Sequence, residues 1–431
     1  MNLFEPHIRK KKHAIQIIEK LEKDGFEARL AGGCVRDEVM GLTPNDYDIA
    51  TTALPEKVEQ LFSSPPYKSV PTGKEHGTIT VVYKGSGFEI TTLREDVNTD
   101  GRRAEVEFGS SFEKDSLRRD FTINALYEDK NGKIYDYHGG VDHIKEKVLT
   151  FVGEAEFRIK EDYLRILRYY RFSTRLGFYG SDNDLKAIKS LSNEIISLSK
   201  ERVLSELTKI FTVISDEKNF RELIEFKILE HSFKKADLND FQKSLELYKG
   251  LPKRFFNIPF AHIFKMFMFL DENKVSGDDI LSILQGLNAS KKELNLIQLI
   301  TNTLSNKDLD NQANKLECLN RYENIFEKAT FTQIGIDLFS ILGDLTSIDK
   351  RFAVFKELSN LEQTKSNLRS STPILNGNDI ASFLEIKPGK MLGDLSKLLR
   401  KAQLNEEITT KDEAKKWLFK AYNKLLNNKK I

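Results

Sequence analysis

Two patterns of hydrophobic and polar positions divide the chain near residue 150. Before it, short β-branched and aromatic runs alternate with glycine turns. The stretch GTITVVYKGSGFEITTL (Gly77–Leu93) predicts two strands around a turn at Lys84–Gly87. FEARLAGG (Phe26–Gly33) predicts a strand entering a tight turn, and NDYDIA (Asn45–Ala50) a further strand. Beyond residue 150 the apolar positions recur every three or four residues. EDYLRILRYYRFSTRLGF (Glu161–Phe178) predicts one helix ended by Gly177, and Ser290 with Glu293 forms a capping box ahead of LNLIQLI. The expected class is α+β, a mixed α/β head followed by an elongated all-helical part built of small bundles.

Composition narrows the setting. With 431 residues, 39% hydrophobic and 31% charged, the chain is long enough for about three globular domains. The apolar run Ile258–Leu270 is short and broken by His262 and Lys265, so no membrane span is expected. No secretory signal is visible, and Cys34 and Cys318 form neither a disulfide framework nor a zinc spacing, so a cytoplasmic protein is expected. A formal charge of +2 neither demands nor excludes a nucleic-acid partner. No His-Asp dipeptide occurs, which leaves a metal-dependent phosphohydrolase built on that pair unsupported.

The candidate chemistry begins at LAGGCVRD (Leu30–Asp37). Gly32 and Gly33 let the backbone approach a ligand, the helix that follows offers free N–H groups to an anion, and Arg36 adds a charge. Alone this is an ordinary strand–helix turn. It is followed by Asp46 and Asp48, two residues apart, which on a strand face one side. Carboxylates so close call for a cation between them, and hard oxygens suit Mg2+ with substrate phosphates completing its shell. Glu89, on the polar side of FEITTLR, is the candidate third carboxylate. In SLRRDFTINAL (Ser116–Leu126), read as the start of a helix, Arg118 and Arg119 suit phosphate, while Asp120 and Asn124 suit ribose hydroxyls. Asp162 and Arg165, three apart on the predicted helix, make a base reader. Cytosine and adenine each offer an amino donor beside a ring-nitrogen acceptor, which a carboxylate and a guanidinium complement; uracil and guanine invert that pattern. Arg168 and Arg171 continue the three-residue step but rotate around the helix. The bland alternative for Asp162 and Arg165 is a surface ion pair.

Together these segments closely resemble the class II transfer-RNA nucleotidyltransferase and bacterial poly(A) polymerase family. The resemblance rests on GGCVRD, the Asp46–Asp48 pair, RRDFTINAL, IYDYHGGVDHIKEKVLTFVG, EDYLRILRYYRF and ERVLSELTKI, in the family's order. LNGNDIASFLEIKPGKMLGDLSKLLRKAQLN is similar to family C-termini, whereas residues 220–365 carry no specific match. It implies a polymerase-β-like catalytic head (1–147), a neck with the base-reading helix (148–215), a body (216–365) and an RNA-binding tail (366–431). It further implies that Gly33, Arg36 and Arg119 contact nucleotide, Asp46 and Asp48 hold Mg2+, Asp162 and Arg165 read the base with support from Arg168 and Arg171, and ERVLSELTKI buttresses the reading helix. The implied activity is template-independent addition of C, C and A to the 3′ end of tRNA from CTP and ATP, releasing pyrophosphate. A-only and poly(A) addition are the alternatives within the family, and a catalytically silent RNA-binding relative the alternative outside enzymes. The charged loop Arg94–Arg103 resembles that of enzymes able to add the final A.

Overall fold

The computed structural model describes residues 5–99, 104–109, 111–214, 216–233, 242–251, 261–304, 373–387, 389–404, 408 and 410–427. They fall into two compact units, Met1–Lys234 and Lys235–Ile431.

The first unit is built on strands β1 (Ala28–Ala31), β2 (Ile49–Thr51), β3 (Tyr67–Gly73), β4 (Thr78–Tyr83) and β5 (Ser86–Thr92), the hairpin β6 (Arg94–Thr99) and β7 (Ala104–Phe108), then β8 (Leu126–Glu128) and β9 (Ile134–Asp136). Seven of them form one mixed sheet in the order β3-β4-β5-β2-β1-β8-β9; β6 and β7 pair separately. The tip of the charged loop, residues 100–103, lies outside the described residues. Alternation works as expected on β4 and β5: Ile79, Val81, Phe88 and Ile90 are buried, and the residues between them are not. The turn between these strands is shorter than predicted. Lys84 and Gly85 both take positive φ, the two-residue geometry that suits the twist of a hairpin, so Ser86 and Gly87 already belong to β5.

Helices α1 (Glu5–Lys23), α2 (Gly33–Val39), α3 (Pro55–Leu61), α4 (Phe112–Leu117) and α5 (Gly140–Glu146) accompany the sheet. Helices α6 (Ala155–Glu161), α7 (Leu164–Leu176), α8 (Asp182–Leu191), α9 (Lys200–Val213) and α10 (Glu217–Glu225) complete the unit. Helix α7 is buried on more than one side because α6, α9 and α10 all pack on it. Its aromatic residues also meet the head: Phe121 lies 5.5 Å from Phe172, centroid to centroid, and 4.9 Å from Phe151, so α7 packs directly on the segment that follows the arginine-rich turn.

In the second unit the described helices are α11 (Gln242–Gly250), α12 (Ala261–Glu272), α13 (Gly277–Gly286), α14 (Lys291–Leu304), α15 (Gly377–Leu384), α16 (Lys390–Leu404) and α17 (Lys411–Asn427). The capping box ahead of α14 forms, with Ser290 N–H donating to Glu293 at 2.7 Å and Glu293 N–H to Ser290 Oγ at 3.3 Å. Leu375, Ile380, Leu395, Leu399, Ala414 and Leu418 give α15–α17 a core of their own. Cys318, Pro388 of the C-terminal motif and the expected body–tail boundary lie outside the described residues. No described helix is long and apolar enough to cross a membrane.

Candidate active site

The carboxylates are set by sheet register. β2 and β5 run parallel with Ile49 opposite Ile90. The residue before each, Asp48 and Glu89, therefore stands on the opposite face from those buried isoleucines, and the two carboxylates are neighbours. The predicted strand Asn45–Ala50 is regular only from Ile49; Asp46–Asp48 is an extended approach, anchored where Ala31 N–H donates to Asp48 C=O at 2.9 Å. Tyr47 still turns inward, as its spacing predicts, and its hydroxyl donates to Glu38 at 2.8 Å. Asp48 faces the open cleft, yet protein surrounds it closely. That enclosure, then Glu89 and Asp46, pushes its carboxyl up to about 6. Asp46 is met by Lys10 of α1, whose Nζ lies 2.8 Å from Oδ1 and 2.7 Å from the Asn45 carbonyl. This is an anionic, hard-oxygen donor set in need of a cation, and a divalent metal fits it. Among the described residues no group of three or more His, Cys, Asp or Glu side chains stands ready to enclose an ion, so further ligands would come from elsewhere.

Beside the carboxylates, Gly32 ends β1 at φ 73°, ψ −121°, a conformation open essentially to glycine. A Cβ there would also stand 2.8 Å from Arg119 Nη1. SLRRDFTINAL is not the start of a helix: α4 ends at Leu117, and Arg118–Phe121 is a turn leading into a short 3₁₀ segment, Thr122–Asn124. Asp115, 1% exposed in its side chain, organises this turn. It accepts from Arg118 Nε at 2.8 Å, Arg119 Nη2 at 3.3 Å and the Tyr127 hydroxyl at 2.6 Å. Burial alone would raise the Asp115 pKa, but Arg118 and Arg119 hold it below the usual carboxylate range. Asp120 is treated likewise by Arg168, with Nε 2.7 Å away. Arg36 is buried against Asp37 and Asn124, not extended into solvent.

The base-reader candidates are not neighbours on one helix. α6 ends at Glu161, Asp162 is extended at φ −156°, and α7 starts at Leu164. Asp162 Oδ1 caps α7 by accepting from Leu164 N–H at 3.1 Å, and Oδ2 accepts from Arg202 of α9 at 2.7 Å. Arg165 commits Nη1 to Glu161 and the Arg158 carbonyl, both at 2.6 Å, and one hydrogen of Nη2 to the Arg118 carbonyl at 3.2 Å. Its Nε–H and the second Nη2 hydrogen have no partner among the described residues. A surface ion pair between Asp162 and Arg165 is therefore not what these residues form. Arg171 pairs with Glu206 of α9 at 3.3 Å, and α9 is the ERVLSELTKI helix.

All these residues nevertheless converge. One cleft of about 790 Å³ is lined by Gly32, Gly33, Arg36, Asp46, Asp48, Glu89, Arg118, Arg119, Asp120, Asn124, Asp162, Arg165, Arg168 and Arg171. Among the residues that hold them, the three- and four-residue spacings of Asp115 to Arg118 and Arg119, and of Glu161 to Arg165, were legible as helix pairs. Lys10 meets partners distant in the chain and no local signal marks it, whereas Asp37 and Arg202 lie within GGCVRD and ERVLSELTKI and only their partners Arg175 and Asp162 are distant.

Comparison with known proteins agrees with this geometry. Residues 28–150 match the sequence model of the Poly A polymerase head domain, and residues 182–238 that described as the probable RNA and SrmB-binding site of polymerase A. The chain is 36% identical over 314 residues to the mouse (Mus musculus) mitochondrial CCA tRNA nucleotidyltransferase 1, covering 72% of this chain and 69% of that one. It is 31% identical to the CCA-adding enzyme of Ligilactobacillus salivarius, over 90% of this chain and 91% of the relative. The crystal structure of Bacillus stearothermophilus CCA-adding enzyme in complex with CTP superposes with a TM-score of 0.73 at 25% identity, over 97% of this chain and 98% of that one. On its motifs, its cleft and these likenesses, the chain belongs to the class II CCA tRNA nucleotidyltransferase family.

Proposed function

We propose that this protein adds C, C and A to the 3′ end of tRNA from CTP and ATP. The observation that carries the reading is the single cleft in which the Asp46–Asp48–Glu89 carboxylates, the arginine-rich turn and the Asp162–Arg165 segment meet. In the reaction the RNA 3′-hydroxyl oxygen bonds to the α-phosphorus of the nucleotide, the bond to the departing pyrophosphate breaks, and the hydroxyl proton is released to solvent. Asp46 and Asp48 would hold Mg2+, which when bound supplies neutralisation of the triphosphate and a more acidic RNA hydroxyl. Arg118 and Arg119, preorganised by Asp115, offer cationic N–H groups to phosphate oxygens, and the missing Cβ at Gly32 lets the Arg119 guanidinium close on the backbone there.

Template-free selection falls to Asp162 and Arg165. A carboxylate has about four acceptor positions, so Asp162 can take a base amino group while keeping Leu164 and Arg202. The uncommitted Nε–H and Nη2–H of Arg165 suit a ring nitrogen. The domain reading that goes with this is a catalytic head over 1–147, a neck over 148–215, and a body and RNA-binding tail beyond, working in the cytoplasm.

The test is to incubate tRNA lacking its 3′ end with labelled CTP and ATP, separately and together, and to sequence the product, with Asp46→Ala and Asp48→Ala as controls. CCA is expected on the wild-type product, and no incorporation by either variant while tRNA still binds. Only A, or an A tract, on the product would overturn the CCA reading; wild-type turnover by either variant would remove the carboxylate site.

A further inference from the structure

Arg168 and Arg175 stand seven residues apart on α7, close to two full turns, and so project from one side of the helix. Arg168 grips Asp120 with Nε and Nη2. Arg175 Nη2 donates to Asp37 Oδ2 at 3.1 Å. Those two aspartates are themselves joined through the wall of the cleft. Asp37 Oδ1 accepts from Nε and Nη2 of Arg36 at 2.9 and 2.6 Å, Arg36 Nη1 donates to the Asn124 side-chain oxygen, and the Asn124 amide donates to Asp120 Oδ1 at 3.1 Å. Six side chains thus close a circuit that leaves α7, crosses the arginine-rich turn and α2, and returns to α7. Arg36, Asp37, Asp120 and Asn124 are buried, and no link joins two like charges.

Helix α7 is packed by α6, α9 and α10, and the polar ties decide how it sits against the wall of the cleft. Tied at two points about 10 Å apart along its axis, its tilt is determined. Arg165 lies three residues before the inner tie, so that tilt places its free donors over the cleft. We infer that Asp37 and Arg175 are positioning residues for nucleotide selection: they form the outer latch that sets the tilt of α7 and thereby aims Arg165 at the base. The inference rests on base reading by Asp162 and Arg165. Neither latch residue needs to touch the base, and the latch is the weaker of the two ties, since the Arg175 side chain is 38% exposed.

The experiment measures kcat and KM for CTP, UTP, ATP and GTP on one truncated tRNA, alongside tRNA binding and thermal melting, for wild type, Arg175→Met, Arg175→Lys, Asp37→Asn, the Asp37→Asn/Arg175→Met double variant and Asp162→Ala. Arg175→Met keeps the aliphatic stem and loses the latch. Its kcat for CTP should fall on the order of tenfold, as a small misplacement of an aiming group does. The CTP-to-UTP efficiency ratio should fall with it, while the nucleotide KM and tRNA binding stay near wild type. Arg175→Lys should recover part of the ratio, and the double variant should lose no more than Asp37→Asn alone. A lower melting temperature with unchanged kcat and ratio would overturn the latch, leaving Arg175 structural. An equal rise of KM for all four nucleotides would also overturn it, making Arg175 a phosphate contact. Asp162→Ala separates the two levels. If its ratios match wild type, base reading itself fails and the latch with it; if they change while Arg175→Met stays silent, the latch alone is wrong. Should Asp37→Asn not fold, the Arg175 variants, at a part-exposed position, still decide.

Discussion

Replacing Asp162 tests whether selection of C and A is a property of the protein surface. The side chain has two sets of obligations. Within the fold, Oδ1 caps α7 through Leu164 N–H and Oδ2 pairs with Arg202. Toward the nucleotide, in the proposed base reading, it would accept from the base amino group and repel a carbonyl. Asp162→Ala removes both. Loss of a cap and a part-exposed ion pair costs about 1 kcal/mol of stability, the same whichever nucleotide is bound. Loss of the acceptor acts differently on the four bases, because a mismatched base no longer leaves a carboxylate facing a carbonyl; that difference is about 1–3 kcal/mol, or roughly fivefold to a hundredfold in the ratio of efficiencies. Asp162→Asn is the sharper variant. Its amide oxygen can keep the Leu164 cap while its NH2 group turns the acceptor into a donor, so UTP and GTP should gain relative to CTP and ATP beyond what Asp162→Ala allows. The assay is single-nucleotide extension of one truncated tRNA with each of the four triphosphates, wild type beside the two variants, with melting curves to read the capping loss separately. If the CTP-to-UTP and ATP-to-GTP ratios hold while stability falls, Asp162 is a helix cap and specificity arises elsewhere.

Four further outcomes are expected. Because the Asp48 carboxyl is pushed up to about 6 from the ordinary 3.8, protons would compete below that pH with the Mg2+ proposed there: at subsaturating Mg2+ activity should fall as pH drops through about 6, and more Mg2+ should move the midpoint lower, whereas a midpoint near 4 indifferent to Mg2+ would refute the crowding of these carboxylates. A raised carboxyl pKa penalises the folded state above the folded pKa and ceases to do so below the unfolded one, so in metal-free protein Asp48→Asn should raise the melting temperature at pH 7 and leave it unchanged below pH 4. Asp115→Ala strands Arg118 and Arg119 and should cost about 3 kcal/mol in denaturant unfolding while raising KM for CTP and ATP together; a loss below about 1 kcal/mol would mean the turn holds itself. Deleting Asn98–Arg103, part of which lies outside the described residues, should spare addition of C more than addition of A, and equal loss of both in the product sequence would reduce the loop to a structural role.

Much of the site was legible because its chemistry is local. A period of two separated Glu89 from Phe88 and Ile90, which pleating enforces within β5, and the same alternation carries Asp46 and Asp48 into the cleft with Tyr47 turned inward although the strand itself begins at Ile49. Gly32 announced a backbone conformation that a side chain would forbid. Glu161–Phe178 keeps its helical period across the break between α6 and α7, so the break is not legible there; at it the Asp162 side chain accepts from Leu164 N–H and pairs with Arg202, forty residues on. Arg36, which the spacing offers as a ligand for phosphate, lines the cleft with its guanidinium bonded to Asp37 and Asn124. Its residue type and spacing are the same in either role, and only the approach of Asn124, eighty-eight residues away, decides where the guanidinium goes. The sequence by itself determined which residues carry charge, which face of a strand they take and where glycine is required, since those follow from covalent geometry and neighbours in the chain. The tertiary structure alone decided which of those charges are spent on each other and which are left for a substrate, because an ion pair depends on distance in space and the chain order does not encode it.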